Sequence, residues 1–136
     1  MKEKIKNKML KKAKEVKKNA YVPYSNFPLA AVLLTKEGEF FTGVNIENAS
    51  YSLTNCAERT AIFKAVSEGY KEFEALLLYG GKNKTITPCG ACRQVITEYG
   101  DDIEVIMINE NGDEVSMLSS ELLPGAFQKG DMEDDV

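Results

Sequence analysis

Three cysteines are the residues of this 136-residue chain whose types and spacing best suit chemistry. Cys89 and Cys92 lie in the run Pro88-Cys-Gly-Ala-Cys92, and Cys56 stands apart upstream, two residues before Glu58. There is no histidine. That excludes Ser-His and Cys-His nucleophile pairs, phosphohistidine chemistry and every His-ligated metal site. The cysteines are odd in number, and no apolar stretch follows the basic N-terminus as in a secretory signal, so a disulfide framework is not expected. Metal binding and thiol redox chemistry remain. A lone C-x-x-C suits either, but the redox reading leaves Cys56 unexplained. A closed structural zinc site takes four ligands, so here a carboxylate or a water must complete the sphere; three protein ligands plus water is the catalytic pattern, and the count favours it. Glu58 reads two ways. Asn55-x-x-Glu58 approximates a helix capping box, or the carboxylate is a general acid/base beside an activated water.

All three cysteines fall at predicted helix starts, where unpaired backbone N–H groups favour the thiolate. Cys56 opens a helix running to Glu68 and stopped by Gly69, and Pro88 opens a second running to about Tyr99. Short apolar strands are expected over Leu29–Thr35, Phe40–Asn45, Phe73–Tyr79, Ile103–Ile108 and about Glu114–Leu118. The Leu76-Leu77-Leu78 run predicts burial on both faces of a covered sheet. Asn111-Gly112 is a hairpin signal that makes the last two strands antiparallel. Strands alternating with helices give an α/β domain with helices on both faces of the sheet. The domain is expected over residues 1–130, with an acidic, frayed tail over 131–136.

With 43% hydrophobic and 28% charged residues, the chain is no collagen, disulfide scaffold or disordered segment. Its net charge of −4 hides an asymmetry: residues 1–18 hold nine of the 17 Lys+Arg and two acids, a local +7, leaving −11 for the rest. Ile5, Met9, Ala13, Val16 and Ala20 form a helical apolar stripe opposite those lysines. A surface helix with a solvated face explains this better than a nucleic-acid interface, since no aromatics are interleaved.

Cys56-Ala-Glu58 followed by Pro88-Cys-Gly-Ala-Cys-Arg-Gln94 resembles the cytidine deaminases, in their small-chain form with three cysteine ligands. Tyr24-Ser-Asn-Phe27, Phe41-Thr-Gly-Val-Asn-Ile-Glu-Asn-Ala-Ser50 and Leu122-Leu-Pro-Gly-Ala-Phe127 match that family in order, so the resemblance covers roughly residues 20–127. It implies a three-layer α/β/α sandwich around a five-stranded mixed sheet whose last strand is antiparallel. It further implies one Zn²⁺ per chain on Cys56, Cys89 and Cys92, with Glu58 as the catalytic acid/base. The implied reaction is hydrolytic deamination of cytidine and 2′-deoxycytidine to uridine and 2′-deoxyuridine with release of ammonia, a pyrimidine-salvage step. Arg59 would offset the charge of three thiolates. Asn45 and Glu47 alternate on or just after a strand and so face one side; an amide and a carboxylate suit a sugar hydroxyl, and the resemblance assigns them to the ribose. By the same resemblance Phe27 packs on the pyrimidine, Ala57 offers backbone contacts to the base, and Tyr51 and Phe127 reach a neighbouring subunit's site in a homotetramer. A cytoplasmic enzyme of a small nucleoside is expected, with neither nucleic-acid nor membrane partners. The alternatives are a deaminase of another aminopyrimidine such as blasticidin S, a deaminase of nucleotides or polynucleotides, and a non-catalytic zinc or thiol module. The Asn111-Gly112 turn disfavours the polynucleotide alternative. One departure stands out: the family run Val-Gly-Ala-Ala is here Leu29-Ala30-Ala31-Val32, which is expected to add bulk beside the pocket.

Overall fold

The structure, a computed structural model, describes residues 1–132. The lysine-rich N-terminus forms α1 (Glu3–Val16), and a 3-10 turn follows over Lys17–Asn19. Met9 and Ala13 of its stripe are fully buried, and Ile5, Leu10, Val16 and Ala20 pack around them. Burying Met9 alone stabilises by about 2 kcal/mol. The helix stops short of Ala20 because the chain is drawn onto the sheet just beyond: the Tyr21 amide donates to Asn45 O (3.1 Å) and Tyr21 O accepts from Glu47 N (2.8 Å).

Five strands follow: β1 (Ala30–Thr35), β2 (Phe40–Val44), β3 (Phe73–Tyr79), β4 (Glu104–Ile108) and β5 (Glu114–Leu118). They form one mixed sheet in the order β2-β1-β3-β4-β5. β1 is antiparallel to both β2 and β3, β3 and β4 are parallel, and β5 is antiparallel to β4. The parallel pair needs a crossover, supplied by α3 (Gly90–Thr97), while Asn109–Asp113 turns tightly into β5. The remaining helices are α2 (Ala57–Ser67) and the short α4 (Ser119–Leu122). Of the acidic tail expected over 131–136, Asp131 and Met132 close a 3-10 turn begun at Lys129, and the remainder lies outside the described residues. No described helix is long and apolar enough to cross a membrane.

The strands are apolar on both faces because helices cover both. Ala31, Leu33, Leu76, Leu78, Val105 and Met107 join Ala57, Ala61, Ile62 and Ile96 in a core under α2 and α3. The alternate residues Ala30, Val32, Leu34, Ala75, Leu77, Ile106 and Ile108 pack with Met9 and Ala13 of α1. This is a three-layer α/β/α sandwich. It also corrects the expectation about the Leu29–Val32 run. Ala30 and Val32 carry the extra bulk, and both belong to the α1 layer, on the other side of the sheet from α2 and α3.

Gly43 sets how closely α2 lies on the sheet. A Cβ there would stand 2.5 Å from both Ala57 O and Ala61 N, backbone atoms of the first turns of α2. Only glycine permits that approach. Gly43→Ala is therefore expected to lower stability by about 3 kcal/mol in denaturant unfolding; an unchanged midpoint would show that α2 adjusts freely.

Candidate active site

Two helix starts carry the thiols. Cys56 is the N-cap of α2, Cys89 is the N-cap of α3, and Cys92 lies in the first turn of α3. Both helices thus begin one residue or more later than the sequence suggests, with a physical reason in each case. Ahead of α2 no capping box forms: the Asn55 amide donates to Thr60 Oγ1 (3.1 Å), and that hydroxyl donates to Cys56 O (3.0 Å). Ahead of α3, Cys89 Sγ itself accepts the Cys92 amide (3.4 Å), leaving Pro88 outside the helix. Glu58, freed from capping, stands in the first turn of α2 and is only 3% exposed.

The three sulfurs lie within 4.8 Å of one another, with Cys56–Cys89 at 3.8 Å and Cys89–Cys92 at 3.3 Å. Tetrahedral zinc with Zn–S bonds of about 2.3 Å places sulfurs about 3.8 Å apart, so the cluster fits that ion, and three soft thiolates suit zinc over hard cations. Cys92 is buried, Cys56 half-buried and Cys89 exposed.

The surroundings favour negative sulfur. Hydrogen bonding from Cys92, then from the Arg59 guanidinium, holds the Cys56 thiol down at about 5. Arg59 Nη2 donates to Cys56 Sγ at 3.3 Å. Cys92 is pushed the other way, by its hydrogen bond to Cys56 first and by burial. Arg59 Nε is buried without a hydrogen-bond partner among the described residues, so this side chain holds its place without a full set of bonds. Burial, and then the charge on Cys56, push the Glu58 carboxyl up to about 7.

The other sequence-predicted residues gather around the segment 24–29. Asn45 is buried, and its amide spans that segment: Oδ1 accepts from Leu29 N (2.9 Å) and Nδ2 donates to Phe27 O (2.9 Å). Glu47 accepts from the amides of Tyr24 (3.0 Å) and Ser25 (3.1 Å) and from the Ser25 hydroxyl, which holds its carboxyl below the usual range. Glu47, Tyr24, Ser25, Tyr51 and Thr54 line a cleft of about 380 Å³. Phe27 borders another of about 510 Å³, against Lys82, Lys84 and Ile86. Neither the cysteines nor Glu58 line these two clefts among the described residues. Ala57 is fully buried against Gly43, whereas Tyr51 and Phe127 are exposed.

Sequence reasoning missed four supporting side chains: Ser25 beneath Glu47, Thr60 at the α2 cap, Arg93 and Gln94. Arg93 donates from Nε to Pro88 O (2.9 Å) and from Nη1 to Leu122 O (2.7 Å), and Gln94 Nε2 donates to Phe127 O (2.6 Å). A signal existed for Thr60 and Arg93. Each lies four residues after a cap cysteine, the spacing that returns a helical side chain toward the cap.

A family model for the cytidine and deoxycytidylate deaminase zinc-binding region matches residues 3–108. The cytidine deaminase of Sporosarcina psychrophila is 48% identical over 126 residues, covering 92% of this chain and 93% of its own. That of Halalkalibacterium halodurans is 50% identical over 127 residues, covering 93% and 96%. Among solved structures, the cytidine deaminase from Burkholderia pseudomallei superposes with a TM-score of 0.87 at 45% identity, over 93% of this chain and 100% of that one. The chain belongs to the zinc-binding cytidine deaminase family. Zn²⁺ is its cofactor, and the Cys56, Cys89 and Cys92 group is the part of the fold suited to hold it.

Cys89→Ala is expected to lose bound zinc and thermal stability together, because structural thiolate binding contributes folding energy directly. A variant that purifies with a full complement of metal would remove Cys89 from the ligand set.

Proposed function

We infer that this chain hydrolyses the 4-amino group of cytidine and 2′-deoxycytidine, yielding uridine, 2′-deoxyuridine and ammonia. The observation that carries this reading is Glu58, a carboxyl buried in the first turn of α2, beside the sulfur cluster and unused in any cap. A purely structural thiol module has no use for it.

Cys56, Cys89 and Cys92 would hold the zinc, which would supply a Lewis acid able to make a water acidic enough to attack near neutral pH. Glu58 takes one proton of the attacking water and hands it to ring N3 as the C4–O bond forms; it then takes the proton of the new C4 hydroxyl and delivers it to the amine, so that the C4–N bond breaks, ammonia leaves and C4 is left as the carbonyl. Burial keeps bulk water from competing for that proton. Arg59 offsets the charge of the three thiolates, so that they do not quench the Lewis acidity. Asn45 and Glu47 hold the sugar. Each spends bonds on the segment 24–29, yet the Asn45 amide keeps a spare N–H and lone pair, and the Glu47 carboxylate keeps a spare lone pair, enough to grip a ribose hydroxyl. The same bonds present Phe27 to the pyrimidine ring, and Ala57 gives backbone contacts to the base. A substrate with a different sugar, such as blasticidin S, gains less from this pair.

The chain works as a cytoplasmic homotetramer. Tyr51, 74% exposed, and Phe127, 59% exposed, are aromatic side chains that a lone protomer leaves in water. A neighbour's site would cover both rings, and Tyr51 already lines the cleft beside Glu47.

Purified protein incubated with cytidine is expected to release ammonia, to lose that activity to a zinc chelator and to regain it with added zinc; no ammonia from zinc-replete protein would overturn the assignment. Glu58→Gln is expected to keep fold and zinc while kcat falls at least about 100-fold. Turnover close to that of the unmodified protein would take the proton-transfer role from Glu58.

A further inference from the structure

The three thiol-bearing residues are not equally well held. Cys92 is buried within α3. Cys56 caps a helix pressed onto β2 at Gly43, and its carbonyl is bonded by Thr60. Cys89 is exposed and ends the stretch 80–88, which contains no helix or strand. Among the described residues its sulfur receives one backbone donor, the Cys92 amide at 3.4 Å.

Arg93 supplies what is missing. As a helical residue four beyond Cys89, it leans its side chain back toward the start of α3. There Nε reaches Pro88 O at 2.9 Å. That carbonyl belongs to the peptide unit whose nitrogen is Cys89's own, so holding it fixes the plane from which the Cys89 side chain departs. The other arm of the guanidinium is anchored: Nη1 donates to Leu122 O at 2.7 Å. Leu122 is 2% exposed in the core and closes α4, where terminal carbonyls lack helical partners and attract a cation.

Resting on the zinc reading above, we propose that Arg93 is a positioning residue for the metal site: by gripping the Pro88 and Leu122 carbonyls together, it aims the Cys89 sulfur at the cluster. A planar fork is needed to hold two carbonyls in fixed directions, and the ammonium of lysine offers none.

The test measures zinc affinity by competition with a chromophoric chelator in full-length wild type, Arg93→Ala, Arg93→Lys and Gln94→Ala. Melting temperatures in saturating zinc report the fold. Arg93→Ala is expected to bind zinc about 10–100-fold more weakly, and Arg93→Lys to lose nearly as much, since outer partners of metal ligands carry effects of this size. Gln94→Ala, which frees Phe127 O but leaves Pro88 held, is expected to stay within about twofold of wild type on the same scale. Cobalt-substituted Arg93→Lys should also show an altered thiolate-to-metal absorption band. Wild-type affinity in Arg93→Ala with only a lower melting temperature would reduce Arg93 to a brace. Full rescue by lysine would make the effect one of charge, and a Gln94→Ala loss as large as that of Arg93→Ala would move it to the C-terminal segment; either overturns the proposal. Should Arg93→Ala not fold, Arg93→Lys carries the comparison alone. Wild type without zinc would instead sink the functional reading itself.

Discussion

Three sulfurs that must all be negative to hold a metal stand within 4.8 Å of one another, and the fold has to make that tolerable. Two thiolates about 4 Å apart repel by about 4 kcal/mol at the effective dielectric of a protein site. The offset comes from several modest sources acting together. Two helix starts direct their unpaired amides at the cluster, the Arg59 guanidinium sits on Cys56, and the divalent cation supplies the rest. The hydrogen bond between their sulfurs drives the Cys56 and Cys92 thiols in opposite directions.

Everything else about the front of the molecule serves to bring those two helix starts together. Parallel pairing of β3 and β4 forces the chain across the sheet through α3. The side chain absent at Gly43 lets α2 settle close against β2. Thr60 and Arg93 then bind the carbonyls that flank the two cap cysteines, so backbone directions as well as sulfur positions are held.

The strands and core helices were legible because apolar runs and turn residues mark them unambiguously. Asn111-Gly112 fixed the sense of the last hairpin, which the antiparallel register of β4 and β5 bears out. The helix caps were less legible: whether Cys56 or Asn55 caps α2 depends on which carbonyl Thr60 reaches, a detail of backbone geometry. Nor could composition say which layer Ala30 and Val32 face, because both sides of the sheet are equally apolar. At the site, spacing marked the cysteines as a candidate metal group, while Glu58 stayed open between a cap and an acid/base until the family resemblance gave it a role. The bonds from Asn45 and Glu47 to the segment 24–29 were not legible, since they join side chains to backbone groups about 16–23 residues away in the chain.

The lysines of α1 and of the 3-10 turn after it are largely occupied at home. Lys8 and Lys12 lie over Phe40, Lys14 and Lys17 over Tyr79, and Lys6 and Lys17 pair with Glu114 and Glu110 of the last hairpin. All of this happens behind the sheet, on the face opposite α2 and α3. The basic N-terminal stretch is therefore spent on fastening α1 to the back of the sheet and to the last hairpin.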